Sequence, residues 1–143
     1  MSDGKVITLA LVSVSILFPL GWVAVCHLLA AFSGWRGLAQ RFGASSGLEG
    51  RHRAMWARLS WVDYRGVMDV GGDGEGGIVL SVMAPFRFGH PPLCIPLAEI
   101  QQHGERKFLW WRQARVTLPG GVGLVLPAST WRLAVHDAGG EAP

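Results

Sequence analysis

The apolar positions change period several times along the chain, and each change marks an element. Residues 6–32 form one nearly continuous apolar run, and between Lys5 and Arg36 thirty consecutive positions carry no formal charge. A helix over residues 6–32 is about 40 Å long at 1.5 Å per residue. That exceeds the hydrocarbon thickness of about 30 Å. The run predicts a single transmembrane helix within an anchor of residues 1–33. Pro19 and Gly21, near its middle, predict a kink, because proline removes a backbone donor. Thr8, Ser13 and Ser15 are candidates to satisfy the freed carbonyl. Beyond the run, Trp35, Leu38, Ala39 and Phe42 share one helical face, with Arg36, Gln40 and Arg41 on the other. This predicts a short amphipathic helix on the membrane surface. GASSGLEG, residues 43–50, reads as a flexible linker, so residues 34–50 join anchor to domain.

After the linker the period becomes two. A strand is predicted over residues 55–64, with Leu59 and Trp61 on one face and Ser60 and Val62 on the other. A turn at Arg65–Gly66 leads to a short strand at 67–70. GGDGEGG, residues 71–77, reads as a hairpin connection to a strand at 78–83. Further strands are expected at 107–113, 115–118 and 122–126, with a brief strand or turn at 97–100 and a tight turn at PGGVG, residues 119–123. Pro127 and the candidate N-cap Ser129 introduce a closing helix to Asp137, its stripe being Trp131, Leu133 and Ala134. The fold class expected is one N-terminal transmembrane helix followed by a small mostly-β domain, residues 51–137. That domain has six or seven antiparallel strands in a partly open barrel or sandwich, and a short C-terminal helix. Residues 138–143 are a tail. Length allows one such domain and no more.

Charge sets the orientation. The formal balance of +3 is uneven: residues 33–68 hold six arginines against Glu49 and Asp63. Basic residues beside a membrane span favour retention on the cytoplasmic side and attract anionic headgroups. The N-terminus is therefore expected outside and the β domain in the cytoplasm. Trp35, Arg36, Arg41, Phe42, Arg51 and Arg53 form the expected membrane-interface set. The apolar run is too long, and its positive n-region too slight, for a usual signal peptide. Cys26 and Cys94 fall in different compartments and form neither a zinc site nor a disulfide framework. Arg106, Lys107, Arg112 and Arg115 flank Trp110 and Trp111, but the alternation there is that of an ordinary strand, one tryptophan inward and one outward. No nucleic-acid module is visible.

Two stretches carry candidate chemistry. His27 is the ionisable group within the span, and its polar nitrogens need a partner there. Ala24, Ala30, Ala31 and Gly34 surround it at helical spacing, giving a flat face that a second helix or a planar ring can approach. Three readings stand: a bond to a neighbour or headgroup, a helix–helix contact through His27, Ala24 and Ala31, or ligation of a pigment. A histidine among alanines resembles the pigment-ligating helices of bacterial light-harvesting polypeptides. The second stretch is APFRFGHPPLCIP, residues 84–96. Its prolines forbid a central strand, and Phe86, Phe88 and His90 alternate with Arg87 and Gly89. The phenylalanines either plug the core or, with His90, Pro91 and Pro92, form a partner-binding surface. The glycine-rich loop carries Asp73 and Glu75, which would repel phosphate, and lacks the calcium-binding spacing. No nucleophile, base and orienting acid are spaced as a catalytic set, and no metal or other cofactor is expected.

The order of short strands followed by one closing helix resembles pleckstrin-homology-like domains. The segments 78–83, 95–100, 108–111, 116–118 and 124–126 carry the likeness, with an Ile95-Pro96-Leu97-Ala98-Glu99-Ile100 corner. The chain is also similar to small uncharacterised bacterial membrane-anchored proteins with an FRxxHPPLxIP-like segment, here residues 86–96. The resemblance covers about residues 55–137 and implies a fold more than an activity. It implies a bacterial inner-membrane location. The function expected is a non-enzymatic accessory subunit docking on the cytoplasmic face of a membrane protein complex, with a pigment-bearing or respiratory complex as the specific form. The alternative is a module that senses anionic membrane lipids; an enzyme ranks third.

Overall fold

The computed structural model describes residues 2–44 and 49–139. Helix α1, Asp3–Ser33, contains Pro19 and runs as one helix through it. It is long and apolar enough to cross a membrane, and only 6% of its most apolar stretch is buried. The core helix of a soluble protein would be mostly covered; here Leu17, Phe18 and Leu20 lie open. The hydroxyls of Thr8 and Ser15 donate to the carbonyls of Gly4 and Leu11, both at 2.8 Å. They are spent one turn back, not on the carbonyl that Pro19 frees.

Gly34, at φ +87°, ends α1 and opens helix α2, Trp35–Phe42. A Cβ at Gly34 would lie 2.9 Å from Val122 Cγ2, so both the backbone angle and the space require glycine there. Trp35 and Leu38 are buried, and Ala39 and Phe42 pack against the core. The apolar face of α2 therefore rests on the domain. This corrects the expectation of a helix lying with that face on the membrane.

Nine strands form two antiparallel sheets among the described residues, where six or seven were expected. They are β1 His52–Arg53, β2 Arg58–Leu59, β3 Val62–Asp63, β4 Met68–Gly72, β5 Gly77–Val82, β6 Leu93–Pro96, β7 Gln102–Phe108, β8 Trp111–Leu118 and β9 Val122–Pro127. One sheet has the order β1-β4-β5-β6, the other β3-β2-β9-β8-β7. The expected strand at 55–64 is instead the hairpin β2–β3, turning at Ser60 with φ +55°. The turn puts Leu59 and Val62 side by side in the core and leaves Trp61 exposed. The expected break between 113 and 115 is absent: β8 runs through it, and the turn comes at Leu109–Trp110, with Leu109 at φ +55°. Both Trp110 and Trp111 are exposed, so neither points inward.

Helix α3, Ala128–Asp137, packs against β4 and β1 of the first sheet and β8 and β9 of the second. It buries Trp131, Ala134 and Val135; Leu133 faces out, a correction to the expected stripe. Pro127, not Ser129, is its N-cap. The 71–77 loop joins β4 to β5 as a hairpin. Asp73 Oδ1 accepts the N–H groups of Glu75 and Gly77 at 2.7 and 2.8 Å. Gly76 N–H donates to Ala138 at 2.8 Å, so the loop receives the end of α3. Ala138 is buried; the rest of the expected tail beyond Gly139, and residues 45–48 of the expected linker, lie outside the described residues.

Candidate functional site

The most constrained polar cluster lies where anchor meets domain. Because α1 ends at Ser33 and Gly34 reverses the chain, Trp35 turns back into the domain with no exposed surface (0%). Its indole Nε1–H donates to the Pro91 carbonyl at 2.9 Å. Pro92, next in sequence, accepts the Ala44 N–H at 2.7 Å, and Gly43 bridges to Leu93. The two prolines lack donors of their own but present carbonyls, and those carbonyls secure both ends of α2. Trp35, Tyr64 and His90 form a ring cluster, with centroids 5.2 Å (Trp35–His90), 5.6 Å (Tyr64–His90) and 6.2 Å (Trp35–Tyr64) apart.

A hydrogen-bonded chain runs through this cluster. The Tyr64 hydroxyl lies 2.9 Å from both Ser33 Oγ and His90 Nε2, and His90 Nδ1 lies 3.0 Å from the Phe88 carbonyl. A carbonyl only accepts, so Nδ1 carries a proton. Burial lowers the His90 pKa below its ordinary value, against the pull of the Phe88 and Phe86 carbonyls. In the neutral ring Nε2 is then an acceptor, and Tyr64 donates to it. In a protonated ring Nε2 would donate, and Tyr64 would donate to Ser33 instead. Burial also raises the Tyr64 pKa, which keeps that phenol protonated. Ser60 Oγ adds a bond to the Ser33 carbonyl at 3.1 Å.

The upper part of the junction is aromatic. Trp22 Nε1–H donates to the Pro85 carbonyl, and its ring lies 5.1 Å from Phe86. Phe32 pairs with Trp61 at 5.6 Å. Gly89, at φ +72°, meets His27 so closely that a Cβ there would stand 2.7 Å from His27 Nδ1.

The residues singled out from the sequence thus divide. Phe86, His90, Pro91, Pro92, His27 and Trp35 come together, but they do so within the chain. His90 is 1% exposed and Trp35 none, so neither presents a side chain to a partner or to headgroups. Phe88 and Pro91 are exposed, and Phe86 and Pro92 half-buried. Ala24 and Ala31 stay open on α1, while Cys26, Ala30 and Ser33 are the residues it buries. Arg36 and Arg41 are exposed, with the Arg41 guanidinium 5.0 Å from the Phe42 ring centre. Arg53 is tied to Asp69 at 2.9 Å, and Arg51 is exposed. Sequence reasoning passed over Ser33 and Tyr64. The signal available was Tyr64 as the single tyrosine, placed beside a predicted strand end. Among the described residues no group of three or more His, Cys, Asp or Glu side chains is arranged to hold a metal ion.

No protein-family model, curated protein or solved structure matches this chain.

Proposed function

We propose that the chain is a non-enzymatic, single-pass subunit of a bacterial inner-membrane protein complex, with its N-terminus outside and its β domain in the cytoplasm. The observation that carries this reading is the buried Ser33–Trp35–Tyr64–His90 junction. It ties anchor and domain together through buried contacts, which supports a domain surface held at one height above the bilayer. A rigid platform suits docking on neighbouring subunits, since less freedom is lost on binding. The open Ala24 and Ala31 face supports close helix–helix packing, and exposed Leu109 and Trp110 supply aromatic and apolar contacts to a partner.

The test is purification of tagged full-length protein in a gentle detergent, with mass spectrometry of co-eluting chains. Stoichiometric membrane subunits are the expected result; elution alone would sink the reading. An absorption spectrum of the same preparation, compared with His27→Ala, decides whether His27 also ligates a pigment. A second reading, recognition of anionic lipid, is favoured by Arg36 and Arg41 remaining exposed on α2 beside the anchor. It requires the full-length protein to gain thermal stability in anionic over neutral nanodiscs, and to lose that gain when salt rises from about 0.05 to about 0.5 M.

A further inference from the structure

A groove of about 640 Å³ opens on the outer face of the five-stranded sheet, away from the junction residues. Its size falls in the range of small-molecule sites, about 300–1,000 Å³. Register builds it. Arg58 on β2 stands opposite Val125 on β9, which stands opposite Arg115 on β8. The two arginines therefore straddle one strand, with backbones about 10 Å apart at the usual strand spacing. Trp111 and Gln113 continue the same face of β8, and Trp56 closes the groove from the segment before β2.

The charges are unbalanced. Arg58 is paired with Asp63 at 2.8 Å. Arg65 and Arg115 also line the groove, and the charge of Arg65 helps hold the lining carboxylate of Asp63 ionised. Yet among the described residues neither arginine has a carboxylate within ion-pair distance, which leaves three arginines against one aspartate. Guanidinium forks match carboxylate and phosphate oxygens in a way that single ammonium charges do not. The indoles of Trp56 and Trp111 add flat, polarisable surface beside them, which suits a planar body.

We propose that this groove binds a small anionic ligand carried on a planar apolar group, such as an aryl phosphate or aryl carboxylate. Arg65 and Arg115 hold the anion, and Trp56 and Trp111 hold the plane. The site stands on its lining residues and is independent of whether other subunits co-purify.

The test uses full-length protein in phosphatidylcholine nanodiscs, with phenyl phosphate as probe and inorganic phosphate as comparison, read by saturation-transfer NMR. Saturable phenyl phosphate binding is expected, about tenfold or more tighter than inorganic phosphate. Arg115→Gln and Arg65→Gln should each weaken it about fivefold or more. Trp111→Leu should bring phenyl phosphate down to the affinity of inorganic phosphate. Arg51→Gln, an exposed arginine outside the groove, should leave binding unchanged. No saturable binding up to about 10 mM, equal affinity for the two probes, or equal loss in Arg51→Gln would overturn the proposal. Should Arg65→Gln fail to fold, Arg115→Gln carries the test, because Arg115 projects outward from the sheet.

Discussion

At the scale of single residues, the junction depends on hydrogen bonds that few substitutions preserve. Tyr64→Phe keeps the ring contacts with Trp35 and His90 but removes the hydroxyl between Ser33 and Nε2. The expected cost is roughly 1–3 kcal/mol, the penalty for leaving buried polar groups unpaired, seen as a lower urea midpoint. His90 sets a pH dependence. Its folded pKa is depressed, so the unfolded chain binds the extra proton first, and stability rises with pH in that window. Stability should be complete above about pH 6.5, the unperturbed value, and be lost as pH falls below it. His90→Gln should flatten thermal midpoints measured between about pH 5 and 8. Cys94 behaves in the opposite sense. Burial, a bond to Asp73 at 3.3 Å and the charges of Asp73 and Glu75 push its thiol up to about 11. Its thiolate fraction near neutral pH is then about a hundredfold below that of a thiol at the ordinary 9.0. Alkylation of Cys94 by iodoacetamide, followed by mass spectrometry, should be slow to that degree in folded protein, and faster in Asp73→Asn.

At the scale of elements, α2 is the piece whose apolar face packs the end of the anchor onto the domain. Trp35→Ala should cost about 3–5 kcal/mol, as removal of a fully buried large aromatic does, and should speed hydrogen exchange of the Trp35–Phe42 amides. Arg36→Ala, on the exposed side of the same helix, should stay within about 0.5 kcal/mol. The contrast shows how far the elements were legible. The periodicity of Trp35, Leu38, Ala39 and Phe42 announced a helix and its apolar face. It said nothing of what that face meets, because an amphipathic stripe reads the same against lipid or a β-sheet. Both misplaced hairpins have one cause. Ser60–Trp61 and Leu109–Trp110 turn without glycine, proline or asparagine, so the strand pattern runs through them unbroken. Each takes a positive φ at a non-glycine residue instead, which only the surrounding pairing enforces. The glycine-marked turns, 71–77 and 119–121, were readable because glycine supplies that angle freely. Likewise the 84–96 stretch stood out by composition, while its occupant, the chain's own anchor, lies 59–63 residues away in sequence.

At the scale of the whole molecule, the contacts along α1 set the height of the domain. If the hydrocarbon begins at Val6, just after Lys5, it reaches to about residue 25 in twenty residues of helix. Trp22 then lies about 24 Å along the helix, His27 about 32 Å and Phe32 about 39 Å. Domain residues inherit these levels from what they touch: Phe86 from Trp22, Gly89 from His27, Trp61 from Phe32. On that placement the 84–90 segment is expected at the hydrocarbon boundary, and the β2–β3 turn about 7 Å further out, among the headgroups. Exposed Phe88 is then expected to contact lipid. Nitroxide labels on Phe88→Cys and Trp61→Cys, with Cys26 and Cys94 changed to serine, measure the two depths through oxygen and nickel accessibility. Position 88 should read deeper than position 61 in neutral nanodiscs. In Trp35→Ala, where the domain is released from α2, that difference should collapse. A label at 88 that is fully aqueous in the parent protein would mean the domain stands clear of the bilayer, and the depth inherited along α1 would be wrong.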